Sequence, residues 1–198
     1  LSNILNSKKV DLQFGYETVR EDGFYDGTAG IFKDETQQLT DINARLENYD
    51  LFTVAEINLT NKFSIRPGIR YSFQSQFDDQ SASSLGLRYL FDSGFETRAS
   101  MGKSYRVPNF DELYTYFVDT NHNLQGNPDL IPEKSTSYEV SVKKGILKSG
   151  LNVNTTFAVT YLQVDDRISM VLSQVEPTQN YLYENIDQYA MWNFSSTN

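Results

Sequence analysis

The 198-residue chain has no cysteine and a single histidine, His122. The first absence excludes disulfides, thiolate metal sites and cysteine nucleophiles. The second excludes any site built from two imidazoles. Proline (5) and glycine (11) are sparse, and no run approaches the roughly 18 apolar residues of a membrane helix, so helical spanning is excluded. Positive charge is scarce too: 17 Lys+Arg against 26 Asp+Glu leave a net charge of -9. The basic stripe of a nucleic-acid binder is missing, and that class of partner is set aside. Leu1-Ser2-Asn3-Ile4-Leu5-Asn6 lacks the charged start and apolar stretch of a signal peptide. None of this touches a transmembrane β-barrel, whose alternating strands average out as polar.

What is abundant is aromatic. Tyr (13), Phe (13) and Trp (1) make 14% of a chain whose mean hydropathy is only -0.49. Aromatics spread through a polar chain predict half-buried strands, and period two is the dominant signal. Val10, Leu12, Phe14 and Tyr16 face one way, and Asp11, Gln13, Gly15 and Glu17 the other. Tyr49, Leu51, Thr53, Ala55, Ile57 and Leu59 share a face, and after a turn at 61–62 so do Phe63, Ile65, Pro67, Ile69, Tyr71 and Phe73. The same alternation runs through 85–91, 95–102, 137–143 and 151–161, with a further strand beginning near Tyr183 or beyond Ile186. A short turn over Asp111–Tyr116 is the one helical feature; otherwise the chain reads as all-β.

The connections set the architecture. They are long at 21–48, short at 61–62, intermediate at 74–83, short at 92–94, long at 103–134, short near 145–150 and long at 164–182. Outer-membrane barrels alternate short periplasmic turns with long extracellular loops in this way. Runs of about 10 residues match a tilted membrane-spanning strand. Aromatics near strand ends, among them Tyr16, Tyr49, Tyr71, Tyr89, Tyr105, Tyr138 and Tyr161, would form interfacial girdles. The expectation is an antiparallel transmembrane β-barrel segment of about seven or eight strands.

Four short boxes follow one another between the strands. They are Tyr105-Arg106-Val107-Pro108, Glu112-Leu113-Tyr114, Gly126-Asn127-Pro128-Asp129-Leu130 and Pro132-Glu133-Lys134-Ser135, with Tyr183-Glu184-Asn185-Ile186 farther on. In this order, on this strand and loop map, they resemble the later barrel of TonB-dependent outer-membrane receptors. The resemblance is strongest over about 95–140. It implies a partial barrel domain over 1–198, with the plug domain and remaining strands outside it, in a Gram-negative outer membrane. It also implies TonB-dependent uptake of a scarce metal chelate: an iron-siderophore, haem or a cobalamin-like ligand. The implied partners are outer-membrane lipid, the chelate, and the TonB system acting through the missing plug. No enzyme activity and no cofactor are expected. The residues alone offer a plainer reading of the boxes. Pro108 cannot donate to a ladder, and the residues before Pro128 and Pro132 are pushed out of helical geometry, so these positions shape the loop.

Candidate ligand-binding residues lie in the same loop: His122, Tyr114, Tyr116, Phe117 and Arg106. An imidazole there could ligate haem iron, and the rings could stack on a porphyrin or catecholate. Arg66, Arg70, Arg88 and Arg98 fall on the polar face, which in a barrel is the lumen. There they would steer an anionic ligand, meet plug carboxylates, or be neutralised by Glu56, Glu96 and Glu139. Two other architectures make distinct predictions. A complete eight-stranded barrel, acting as adhesin or anchor, pairs its first and last strands. A soluble carbohydrate-binding sandwich buries the odd-numbered residues of the 49–73 hairpin between two sheets.

Overall fold

A computed structural model of the chain describes residues 2–6, 9–25, 42–118, 123–148, 151–174 and 179–197. Eight long strands dominate it: β2 (Val10–Tyr25), β3 (Ile42–Asn58), β4 (Phe63–Gln74), β5 (Gln80–Leu90), β6 (Phe95–Arg106), β9 (Glu133–Lys148), β10 (Leu151–Gln174) and β11 (Asn180–Thr197). Three short strands, β1 (Ser2–Asn6), β7 (Tyr116–Val118) and β8 (Asn123–Gln125), and one helical turn, α1 (Phe110–Tyr114), complete it. All strands lie in one curled sheet, in the order β1-β2-β3-β4-β5-β6-β9-β10-β11-β8-β7. Every long neighbour pair is antiparallel, while β8 runs parallel to β11.

The registers put the apolar alternates of all eight long strands on one face. Tyr16 pairs with Leu51, Leu51 with Tyr71, Ile65 with Leu87, Leu87 with Ala99, Ala99 with Val140, Val140 with Val159, and Val159 with Phe194. Among the described residues nothing packs against this face: Leu51 is 56% exposed, Ile69 57% and Phe194 73%. Tyr71–Phe73, Tyr89–Phe91, Tyr138–Tyr161 and Tyr161–Trp192 ring contacts border the band. A continuous apolar belt this wide, edged by aromatics, has the pattern carried by the outer surface of a transmembrane barrel wall. It also disposes of the sandwich, since there is one sheet and the odd residues of the 49–73 hairpin are not buried. The eight-stranded closed barrel fails as well. Among the described residues the sheet stays open between β1 and β7.

Turns at one end are tight. At 91–94 Phe91 N–H donates to Phe95 C=O and Gly94 N–H to Phe91 C=O, with Gly94 at φ +78, where a Cβ would be strained. The 149–150 connection joins β9 to β10 in two residues. At the other end the structure departs from the sequence reading. The segment 164–182, expected as a long loop, is mostly ladder: β10 runs 24 residues and β11 begins at Asn180. Beyond the belt both faces meet water or loop, so pairing continues while the apolar alternation changes phase after Tyr161 and is interrupted at Asp165-Asp166-Arg167.

Candidate functional site

The opposite face of the sheet is polar and concave, since side chains from five adjacent strands line one groove. Glu56, Arg66, Arg88, Arg98 and Glu139 all border it. The four arginines expected there stand on this face by register. Glu96 accepts from Arg88 Nε at 2.9 Å and from Arg98 Nε at 2.7 Å. Arg70 bridges Asp50 at 3.1 Å and Glu17 at 3.4 Å. Asp50, only 2% exposed, also accepts from the Ser72 hydroxyl, which meets the Tyr105 hydroxyl. Tyr105 is thus engaged with Ser72 and half-buried rather than standing free in an aromatic girdle. Among the described residues Arg66 makes no ion pair, although it shares the groove with Glu56 and Glu139. Among the described residues the wall is therefore a largely neutralised charge ladder, with Arg66 and Lys143 outside its ion pairs.

Above this wall, residues 107–118 and 123–132 fold into a compact loop cluster. Its helical turn starts at a capping box: Asn109 Oδ1 accepts from Glu112 N–H at 2.8 Å, and Glu112 Oε2 accepts from Asn109 N–H at 3.0 Å. The turn buries Phe110 and Leu113. Leu113, 1% exposed, meets Leu130 and Ile168, with Leu46, Phe77, Tyr114 and Tyr183 packed around them. Gly126 lies against the turn so closely that an added Cβ would sit 2.6 Å from the Leu113 carbonyl carbon. Only glycine fits there.

Charged and amide groups tie the cluster to β9, β10 and β11. The Arg106 guanidinium holds Glu112 at 2.8 Å and Glu133 through two bonds of 2.8 and 2.9 Å. Glu133 also accepts from Ile168 N–H at 2.7 Å, capping a donor of β10 just past the start of β9. Asn127 Nδ2 donates to Tyr183 C=O at 3.0 Å. Asn185 accepts from Ile131 N–H at 2.9 Å and donates to the carbonyls of Ile131 and Asp166 at 3.0 and 2.7 Å. Asp166, at φ 54, bends β10 at this point. The Glu133 hydrogen bond holds the Arg106 pKa above its ordinary value, against burial and with help from Glu112. Burial pushes Glu133 up, but Arg106 and the Ile168 amide outweigh it, and its carboxyl ends below the usual range.

The ligand candidates thus divide. Arg106 is occupied by two carboxylates, and Tyr114 is half-buried, with its ring 5.1 Å from Phe110 and its hydroxyl accepting from Gln76 Nε2 at 2.7 Å. Both build the cluster. Tyr116 and Phe117 follow the turn on β7, with Phe117 exposed. His122 lies outside the described residues. The sequence offers Glu133 as an acceptor for backbone donors at the re-entry to the sheet and Asn127 as a loop-shaping residue; it gives Asn185 no role, although that residue too stands inside a box. The Asn109-x-x-Glu112 spacing was a readable capping signal.

Residues 3–191 match the family described as TonB dependent receptor-like, beta-barrel. The chain belongs to that family. TonB-dependent receptor barrels are outer-membrane proteins of Gram-negative bacteria, and the family is one of receptors and transporters rather than enzymes. Solved structures with the same fold include a variant of the ferric enterobactin receptor PfeA of Pseudomonas aeruginosa in complex with enterobactin. It has TM-score 0.75 and 17% identity, over 99% of this chain and 32% of that one. The siderophore receptor PirA of Acinetobacter baumannii gives TM-score 0.75 and 16% identity, over 98% and 32%. The copper transporter OprC gives TM-score 0.72 and 12% identity, over 98% and 33%. The chain spans about a third of the length of these proteins.

Proposed function

We propose that this chain is the later barrel wall and ligand-side loop cluster of an outer-membrane receptor that takes up a scarce metal chelate, with a ferric siderophore as the leading class. The observation that carries the reading is the family match over 3–191, joined to a folded loop cluster poised above a polar, arginine-bearing wall. A chelate that is bulky, polar and anionic suits both parts. Arg66 on the wall attracts it, and the exposed Phe117 ring beside the turn supplies flat contact area. In this reading Tyr116, Phe117 and His122 touch the ligand, while Arg106 and Tyr114 hold the cluster that presents them. The apolar belt contacts outer-membrane lipid. Energy arrives from a TonB partner through a plug domain that this chain does not contain, and no covalent bond is made or broken.

The test uses the full-length receptor in a Gram-negative host lacking its own chelate receptors. Accumulation of radiolabelled ferric enterobactin, haem and copper is measured with and without TonB. The expected result is TonB-dependent accumulation of the ferric siderophore. If none of the three probes accumulates above the TonB-deficient background, the metal-chelate reading fails. The His122→Ala receptor separates the ligands: a loss confined to haem assigns the imidazole to haem.

A further inference from the structure

The loop cluster is held very differently on its two sides. Toward β9, β10 and β11 it has the Arg106–Glu133 pair, the Glu133–Ile168 cap, the Asn127 and Asn185 bonds and the Leu113–Leu130–Ile168 core. Toward β2 and β3 it has far less. Phe110, buried at 8% exposure, lies on Gly23 of β2 so closely that a Cβ built at Gly23 would overlap its ring. Leu46 of β3 packs against the Leu113 core, and Gln76 reaches the Tyr114 hydroxyl. These strands are not neighbours of β6 in the sheet, so this contact crosses the concave side.

We propose that Phe110 seated on Gly23 is a latch, and that it positions the turn-bearing end of the cluster across the mouth of the barrel while the β9–β11 side serves as its fixed anchor. Gly23 supplies the seat because it alone offers bare backbone to a flat ring; any side chain there fills the space that the ring occupies. α1 leads directly into β7, so the latch also sets where Tyr116 and Phe117 stand. That last consequence rests on the ligand-binding reading above. The latch itself does not, and it is tested without ligand.

The measurement is electron–electron double resonance on the full-length receptor in detergent, using two pairs of spin labels. Asp111→Cys with Asn43→Cys reports across the latch, and Asp129→Cys with Glu184→Cys across the anchor; all four side chains are exposed. The wild-type background gives one narrow distance for each pair. Gly23→Ala shifts the 111–43 distribution to longer distance and broadens it, leaving the 129–184 distribution unchanged. Phe110→Ala does the same, and combining it with Gly23→Ala adds nothing further, as expected when two substitutions break one contact. A 111–43 distribution unmoved by Gly23→Ala overturns the latch, and so does an equal loosening of both pairs. Failure of chelate uptake would leave these distances untouched, so the two readings fall separately.

Discussion

At the scale of single residues, the cluster depends on a few polar side chains that each satisfy several backbone groups. Glu133 neutralises Arg106 and caps Ile168 at once. Because its folded pKa lies below the ordinary carboxylate value, its stabilisation is complete above the unfolded pKa. It is lost as pH falls through the lowered folded value. Glu133→Gln keeps an acceptor for the amide but removes the charge. It should cost about 1–3 kcal/mol, the range for a charge-assisted hydrogen bond. Urea unfolding of the full receptor at neutral pH, and again below about pH 4, where ordinary carboxylates protonate, measures both effects. The wild-type and Gln receptors should differ at neutral pH and converge in acid. Asn185→Ala leaves the Ile131 amide and two carbonyls without their side-chain partner, and should also cost about 1–3 kcal/mol. Its effect should not vary with pH. An Asn185→Ala penalty that tracks acidity would assign the stabilisation to a carboxylate instead.

At the scale of elements, alternation carried most of the information. Every apolar run read from period two is placed by the ladder registers on the same face, from Val10–Ile57 on β2 and β3 to Val140–Val159 on β9 and β10. That was legible because lipid on one side and a polar lumen on the other impose opposite demands on successive residues. Where the demand stops, so does the signal. Past Tyr161 the apolar alternates change phase, from Val159 and Tyr161 to Leu162 and Val164, and Asp165-Asp166-Arg167 interrupts them, yet β10 continues to Gln174 against β11. The loop cluster was hidden for another reason. Leu113, Leu130 and Ile168 make a core only together, and 55 positions of chain between the first and last carry no common period. The face assignment predicts an asymmetry between nearby positions on two paired strands, β5 and β6. Leu87→Lys on the belt should cost roughly 2–4 kcal/mol, as a lysine near the bilayer midplane does, while Ser100→Lys on the lumen wall should be tolerated. Heat-modifiable mobility and reversible unfolding in lipid measure both. Equal penalties would mean that the two faces are not lipid and lumen.

At the scale of the whole molecule, the chain has no interior in the usual sense. Among the described residues the buried hydrophobic cluster sits at the loop end, on Leu113, Leu130 and Ile168, and the wall between belt and lumen is a single sheet thick. Such a wall is stable only when its apolar face is covered and neighbouring strands complete its edges. Among the described residues, β1 covers only Asp11–Gly15 of β2, and β8 pairs with only Tyr181 and Leu182 of β11, so much of these two edges has no neighbouring strand there. Open edges and an exposed belt together promote association in water. The 198-residue polypeptide produced alone should therefore sediment as aggregates in plain buffer. It should disperse with a β-rich circular dichroism spectrum only when refolded into detergent or lipid. Analytical ultracentrifugation with and without detergent distinguishes the cases. A well-dispersed monomer without detergent would require the Leu51, Ile69 and Phe194 face to be covered by protein, and the lipid-facing assignment would then be wrong.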